Sequence, residues 1–224
     1  MPRTKRINQG GLVQHVLNRA NAGMRIFKTD EDYEAFQRVL QEATDRFDMR
    51  ILSYCVMPNH WHLLLWPRED GDLSRFMGWL TMTHTQRWHA NRKTAGGGHL
   101  YQGRFKSFLV DTDEYLLTVA RYIERNPVRA NLIERAEEWK FSSAHRRCFG
   151  TTKEKSLLSD WPIDRPRQWR SFVNQALTPA EEEALRISIA RGRPYGSPEW
   201  REEMVARFEL DSTVRPRGRP IKGS

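Results

Sequence analysis

The sequence predicts an α+β fold of ferredoxin-like (RRM-like) type, an antiparallel sheet with helices packed on it, plus a small C-terminal helical appendage and basic tail. Three observations predict it. Strand-like and helix-like periodicities follow the order strand, helix, strand, strand, helix, strand, helix before Gly150. The helical stretches are long enough to bury an apolar stripe, and the strand stretches are rich in Val, Ile, Leu and aromatic side chains. Beyond about Gly150 the periodicity fades, which marks a change of organisation.

Residues 12–17 are a short apolar run and predict the first strand. Asp30 is placed to cap a helix in which Tyr33, Phe36, Val39, Leu40, Ala43 and Phe47 recur at three- and four-residue steps. Residues 49–56 and 60–66 then read as an antiparallel pair of strands broken at Pro58-Asn59. Asp72 opens a second helix with Leu73, Phe76, Met77 and Leu80 on one face. It runs through His84, Trp88 and His89 to the flexible break Thr94-Ala95-Gly96-Gly97-Gly98. Residues 105–110 are strand-like, and Asp111 with Glu114 resembles a capping box for the helix carrying Tyr115, Leu116, Val119, Tyr122 and Ile123.

Residues 1–150 are thus expected to form one domain, 151–170 a linker, and 171–224 a helical segment with a basic tail. In the last segment Thr178-Pro179-Ala180-Glu181 and Ser197-Pro198-Glu199 are helix starts, each with a hydroxyl cap and proline in the first turn. Arg-Gly-Arg-Pro occurs at 191–194 and again at 217–220, within a tail of cations without an acid.

At 38% hydrophobic residues and a mean hydropathy of −0.75, the 224-residue chain is polar for a compact domain. It has no run of about 18 apolar residues and no apolar segment behind its basic start, so a soluble, cytoplasmic protein with no membrane partner is expected. The two cysteines, Cys55 and Cys148, make neither a disulfide framework nor a CxxC site, and are expected as reduced thiols. A net charge of +9 and an isoelectric point near 9.9 suit a polyanion. No long amphipathic basic helix offers itself to a lipid surface, which favours nucleic acid.

His60 and His62 lie two apart in a predicted strand, so both imidazoles face one side, within reach of one metal ion, while Trp61 faces the other. Two histidines and an amide carbonyl leave coordination positions open for phosphate oxygens and water. Tyr122 and Asn126 are four apart and share a helix face. A phenol, with a reference pKa of about 10, becomes a useful nucleophile toward phosphorus when a cation withdraws charge from the phosphodiester. Competing roles stay open at this level. Tyr122 also fits the core stripe of its helix, Asn126 fits a helix end before Pro127, and Tyr115 is a rival nucleophile seven residues earlier.

Residues 54–66, Gly103-Arg104-Phe105-Lys106-Ser107 and the run Tyr122-Ile123-Glu124-Arg125-Asn126-Pro127-Val128-Arg129-Ala130 resemble REP-associated tyrosine transposases, of the single-tyrosine HUH nuclease superfamily. His15-Val16, Arg19 and Ile26-Phe27 are similar to that family's opening strand, so the likeness spans about residues 10–150. The resemblance implies an insertion-sequence-200-like transposase domain. His60-Trp61-His62 falls on the family's metal motif, Tyr122 on its nucleophile and Asn126 on its third ligand, where many relatives have glutamine. It further implies a divalent ion, Mg²⁺ or Mn²⁺, and single-stranded or hairpin DNA lying across the sheet. Cleavage through a 5′-phosphotyrosine and rejoining by a 3′ hydroxyl follow from it.

Beside such a site, Arg104, Lys106, Arg121, Arg125 and Arg129 are expected to contact the DNA backbone, as are Arg217 and Arg219 in the tail, whose Arg-Gly-Arg-Pro resembles an AT-hook core. Trp61, Trp88 and Tyr101 are candidate base-stacking platforms, although core packing fits Trp61 and Trp88 better. His15, His84, His89 and His99 have no spacing that ties them to the metal. A domesticated DNA-binding protein without turnover, and a hydrolase in which water attacks, are the competing functions. A monomer or homodimer is expected.

Overall fold

In the computed structural model, which describes residues 6–215, four strands form one sheet in the order β2-β3-β1-β4. The strands are β1 (Gln14–Arg19), β2 (Arg50–Met57), β3 (His60–Trp66) and β4 (Lys106–Leu109), and every neighbouring pair is antiparallel. Helix α1 (Asp30–Phe47) connects β1 to β2, and α2 (Asp72–Arg92) connects β3 to β4. This is the ferredoxin-like arrangement that the element order predicts. Arg217, Arg219 and the second Arg-Gly-Arg-Pro lie outside the described residues. Among the described residues, no helix is long and apolar enough to cross a membrane.

Strand parity divides the core in two. Val16, Tyr54, Trp61, Leu63 and Leu65 point to the face covered by α1 and α2, where they meet Phe36, Leu40, Phe76 and Leu80. Cys55, Leu64 and Phe108 point to the opposite face and pack against α3 (Glu114–Glu124) through Leu116, Val119 and Ile123. Covering both faces with apolar side chains is what an isolated sheet of this size needs for stability.

Several boundaries differ from the periodicity. β1 runs to Arg19 because the ladder continues through polar residues, with Asn18 opposite Trp61 and Arg19 opposite His60. The cap of α1 is Thr29, not Asp30, and the Asp32 carboxylate accepts the backbone N–H groups of Lys28 (2.9 Å) and Thr29 (3.4 Å). Similarly α3 is capped by Asp113, whose Oδ1 accepts from Tyr115 N at 2.9 Å, while the Asp111 backbone N–H is bound by Tyr195 O.

Of the candidate stacking platforms, Trp61 and Tyr101 are core residues and Trp88 is half-buried against the core. Trp61 is fully buried and donates through Nε1 to Tyr101 Oη (3.0 Å), which lies 2.7 Å from His84 Nδ1. Tyr101 is therefore corrected from a base platform to part of a satisfied buried chain. Trp88 donates to Ile26 O at 2.9 Å and carries the Arg92 guanidinium 4.3 Å over its ring.

The chain after α3 continues through short helices, α4 (Asn126–Arg129), α5 (Ser143–Phe149), α6 (Thr152–Lys155) and α7 (Trp169–Val173). The segment 151–170, expected as a linker, instead packs on the β2 edge. Ser159 N donates to Ile51 O (2.9 Å), Trp161 Nε1 donates to Leu52 O (2.8 Å), and Leu157 is buried. Scattered tryptophans anchor it without any periodicity. The predicted starts at Thr178 and Ser197 open α8 (Pro179–Arg191) and α9 (Pro198–Arg207), and α10 (Asp211–Val214) follows. Gly192 ends α8 with φ of 73°, so the first Arg-Gly-Arg-Pro is a helix terminus rather than an extended hook.

Candidate active site

On β3, His60 and His62 emerge from the face that α3 covers, with ring centroids 5.0 Å apart and planes at 84°. Trp61 leaves by the other face, as strand parity requires. The turn before β3 is tied down by Ile26 N and Phe27 N donating to Pro58 O at 3.0 and 3.1 Å. Asn59 Nδ2 donates to Gly23 O (3.3 Å), which turns its Oδ1 to His60 Nδ1 at 2.6 Å. An amide oxygen only accepts, so His60 carries its proton on Nδ1 and keeps the Nε2 lone pair free.

Helix α3 brings Tyr122 over this pair. Its ring stands edge-on to His62 at 5.7 Å and 90°, and edge-on to His15 at 6.4 Å. Tyr115 packs instead against Tyr195, with centroids 5.4 Å apart. Of the two tyrosines, Tyr122 is the one beside the histidines.

Helix α3 stops at Glu124, and Asn126 begins α4, because Pro127 cannot continue the preceding helix. The Asn126 side chain is buried, and its Oδ1 accepts from Arg129 Nη2 at 3.3 Å. The same Arg129 nitrogen lies 3.5 Å from Tyr122 Oη, and the guanidinium carbon is 5.3 Å from the ring centroid. Arg129 thus links the phenol and the amide. Asn126 Nδ2 has no hydrogen-bond partner among the described residues.

Electrostatics separate the groups. Burial, with the nearby Arg19 and Arg129 cations, pushes His60 down to about 4. Burial, with His60, His15 and Arg129 around it, pushes His62 well below the ordinary imidazole value. Both rings are neutral near pH 7. Burial raises the Tyr122 phenol above its usual value, Arg129 opposes that, and Glu182 reinforces it.

The expected DNA cations separate into two groups. Arg104, Lys106 and Arg129 are exposed, and Arg129 is at the site. Arg121 is corrected from a phosphate contact to a buried ion pair. Its Nη2 lies 2.6 Å from Glu181 Oε1, and its guanidinium covers the Phe172 ring at 4.7 Å. Arg125 is half-buried and points Nε at Asn174 O (3.5 Å).

Sequence reasoning missed three neighbours of the site. His15 is buried beside His62 with no spacing to announce it. Arg19 faces the same side as His60 through the β1–β3 register. Helix α8 lines a cleft of about 340 Å³ with Tyr122 and Arg129 on one wall and Glu182, Glu183 and Arg186 on the other. Only the acidic start of α8 was legible beforehand, and it reads equally well as a cap.

The family model described as "Transposase IS200 like" matches residues 9–126, more than half of the chain. The chain belongs to the IS200-like transposase family. The matched residues contain β1 through α3 and end on Asn126, so the family region holds both histidines and the tyrosine. The chain is also similar to a Haemophilus influenzae protein named as a REP-associated tyrosine transposase, at 25% identity over 134 residues, covering 56% of this chain and 74% of that protein. A solved REP-associated tyrosine transposase bound to a REP hairpin has the same fold, with a TM-score of 0.56 at 20% identity. The match covers 73% of this chain and 93% of the other.

Proposed function

We propose that this IS200-like transposase cleaves single-stranded DNA at or near hairpin-forming repeats through a 5′-phosphotyrosine on Tyr122, and can rejoin the strands. The observation that carries it is the placement of Tyr122 edge-on to His62, with Arg129 bridging its hydroxyl to Asn126. The similarity to REP-associated proteins, one of them solved with a REP hairpin, supports the substrate class.

Tyr122 Oη would form a bond to phosphorus as the bond to the departing 3′ oxygen breaks, and the phenol proton would end on that 3′ hydroxyl. One phosphoester replaces another, so a 3′ hydroxyl can reverse the step without a nucleotide cofactor. Arg129, at the phenol, would stabilise the phenolate and hold a phosphate oxygen. Exposed Arg19 and Arg129 would draw the scissile phosphate to the histidines.

The donor set fits a divalent ion. Two neutral imidazoles stand on one face, and the Asn126 carbonyl Oδ1, the ligating atom of that amide, accepts from Arg129 at 3.3 Å, so an ion would share it with the guanidinium or displace it. Among the described residues, no three His, Cys, Asp or Glu side chains are arranged to hold a metal, so an ion here would rest on two imidazoles and one amide oxygen. His60, His62 and Asn126 would hold the ion. When bound, Mg²⁺ or Mn²⁺ would withdraw charge from the scissile phosphate.

The test uses a labelled hairpin oligonucleotide with single-stranded flanks and Mn²⁺ or Mg²⁺. A denaturation-resistant protein–DNA adduct is expected from the wild type and from Tyr115→Phe, and none from Tyr122→Phe at near-wild-type DNA affinity. Hairpin binding without an adduct in the wild type would make the chain a binding protein instead. An adduct that survives Tyr122→Phe would remove Tyr122 from the chemistry.

A further inference from the structure

His15 has no surface exposure and no role in the site as described so far. It lies on β1 between the sheet and α3, tilted at 46° against Phe108 with centroids 4.8 Å apart. Its Nε2 is 2.9 Å from His62 Nδ1, and the two rings are stacked at 5.1 Å and 24°. Its Nδ1 has no hydrogen-bond partner among the described residues. Burial pushes His15 down to about 3, so it is a neutral ring.

A neutral imidazole has one N–H and one lone pair, so this pair has two arrangements. In the first, His15 Nε2–H donates to His62 Nδ1, and His62 keeps its own proton on Nε2, where it blocks a cation. In the second, His62 Nδ1–H donates to His15 Nε2, His15 carries its proton on Nδ1, and His62 Nε2 offers a lone pair. Each ring keeps one proton in both, so the exchange releases none.

We propose that His15 is a positioning residue for His62, accepting its Nδ1–H so that His62 Nε2 is the lone-pair donor to a divalent ion. The proposal rests on the metal reading given above. His60 reaches the same state through Asn59, so each imidazole of the pair has its own orienting acceptor. The two acceptors differ in kind. Asn59 Oδ1 can only accept, whereas His15 can accept or donate. The second arrangement leaves an unpartnered buried N–H on His15, which is costlier than an unpartnered lone pair. The metal-free pair therefore rests in the first arrangement, and a cation tips it into the second.

Mn²⁺ affinity of the full chain, read by electron paramagnetic resonance of the free ion, tests this without any turnover. His15→Phe keeps the ring volume and removes the acceptor, and is expected to weaken Mn²⁺ binding about 10–100-fold. His15→Gln keeps an acceptor oxygen and is expected to stay within about threefold of the wild type. Equal affinity of wild type and His15→Phe overturns the proposal, as does a His15→Gln protein as weak as His15→Phe. Histidine ¹⁵N spectra of the metal-free wild type are expected to show His62 protonated on Nε2 with a hydrogen bond across to His15, and they decide the matter if His15→Phe does not fold. Absence of that bond overturns it. The double variant His60→Ala/His62→Ala keeps the two readings apart. If it binds Mn²⁺ as the wild type does, the metal reading falls and this proposal falls with it.

Discussion

Arg121 and Glu181 form a 2.6 Å ion pair that fastens α8 across α3, one residue from Tyr122. The guanidinium is almost fully buried and also covers Phe172, while the carboxylate keeps some contact with solvent. An arginine that sequence places on DNA is thus used to hold the C-terminal segment over the candidate site. Arg121→Gln or Glu181→Gln is expected to cost roughly 2–3 kcal/mol in urea denaturation, below the full penalty for a wholly buried pair because Glu181 is partly hydrated. The salt dependence of DNA binding should not change with Arg121→Gln. A shallower slope without lost stability would return Arg121 to the phosphate contacts.

Glu182 lines the Tyr122 cleft and helps to hold the phenol proton in place. It shares that cleft with Arg129, so a phosphate entering there meets a carboxylate as well as the guanidinium. Glu182→Gln is expected to tighten hairpin-DNA binding several-fold at low ionic strength and to lose that advantage at high salt, where the charge is screened. Titrations at two salt concentrations check it, and an advantage that persists at high salt would point to a change of shape rather than of charge.

Acid should destabilise the fold through its buried histidines. Burial, with Arg92 nearby, pushes His84 down from 6.5 to about 3, and His84 is paired with Tyr101 Oη at 2.7 Å. The unfolded chain binds this proton below about pH 6.5 and the folded chain only near pH 3, so the neutral ring's contribution is complete above pH 6.5. It is lost as pH falls through that window, by up to about 1.4 kcal/mol per pH unit. Urea unfolding at pH 7 and pH 5 should show a smaller difference for His84→Gln than for the wild type. An equal difference would show that His84 does not titrate on unfolding.

Metal dependence should follow the donors. Excess EDTA is expected to abolish adduct formation, and His60→Ala or His62→Ala to do so at ordinary metal concentrations. Asn126→Ala should be milder, because water can replace an amide oxygen. Imidazole donors suit a transition ion better than Mg²⁺, so Mn²⁺ should support the reaction at lower concentration. Full activity in EDTA would eliminate the metal scheme.

Much of this molecule is set by short-range periodicity. Alternation along 60–66 puts His60 and His62 on one face and Trp61 in the opposite core layer, and the four-residue spacing of Tyr122 and Asn126 keeps them on adjacent turns even though Pro127 ends the helix between them. Helix starts at Thr178 and Ser197 were legible for the same reason, since a cap is a local hydrogen bond. Tertiary structure decided everything that depends on register and on which face is covered. His15 meets His62 only because β1 lies beside β3 with Leu17 opposite His62, a pairing of residues 47 apart. Arg121 faces Glu181 and Tyr122 faces the histidines because α3 crosses this side of the sheet with α8 above it. Segment 151–170 is anchored by single side chains, Leu157 and Trp161, that leave no period to detect. Local sequence carries the geometry of each element, whereas the meeting of distant side chains is selected by the packing of whole faces, where burial outweighs the preference of any one residue.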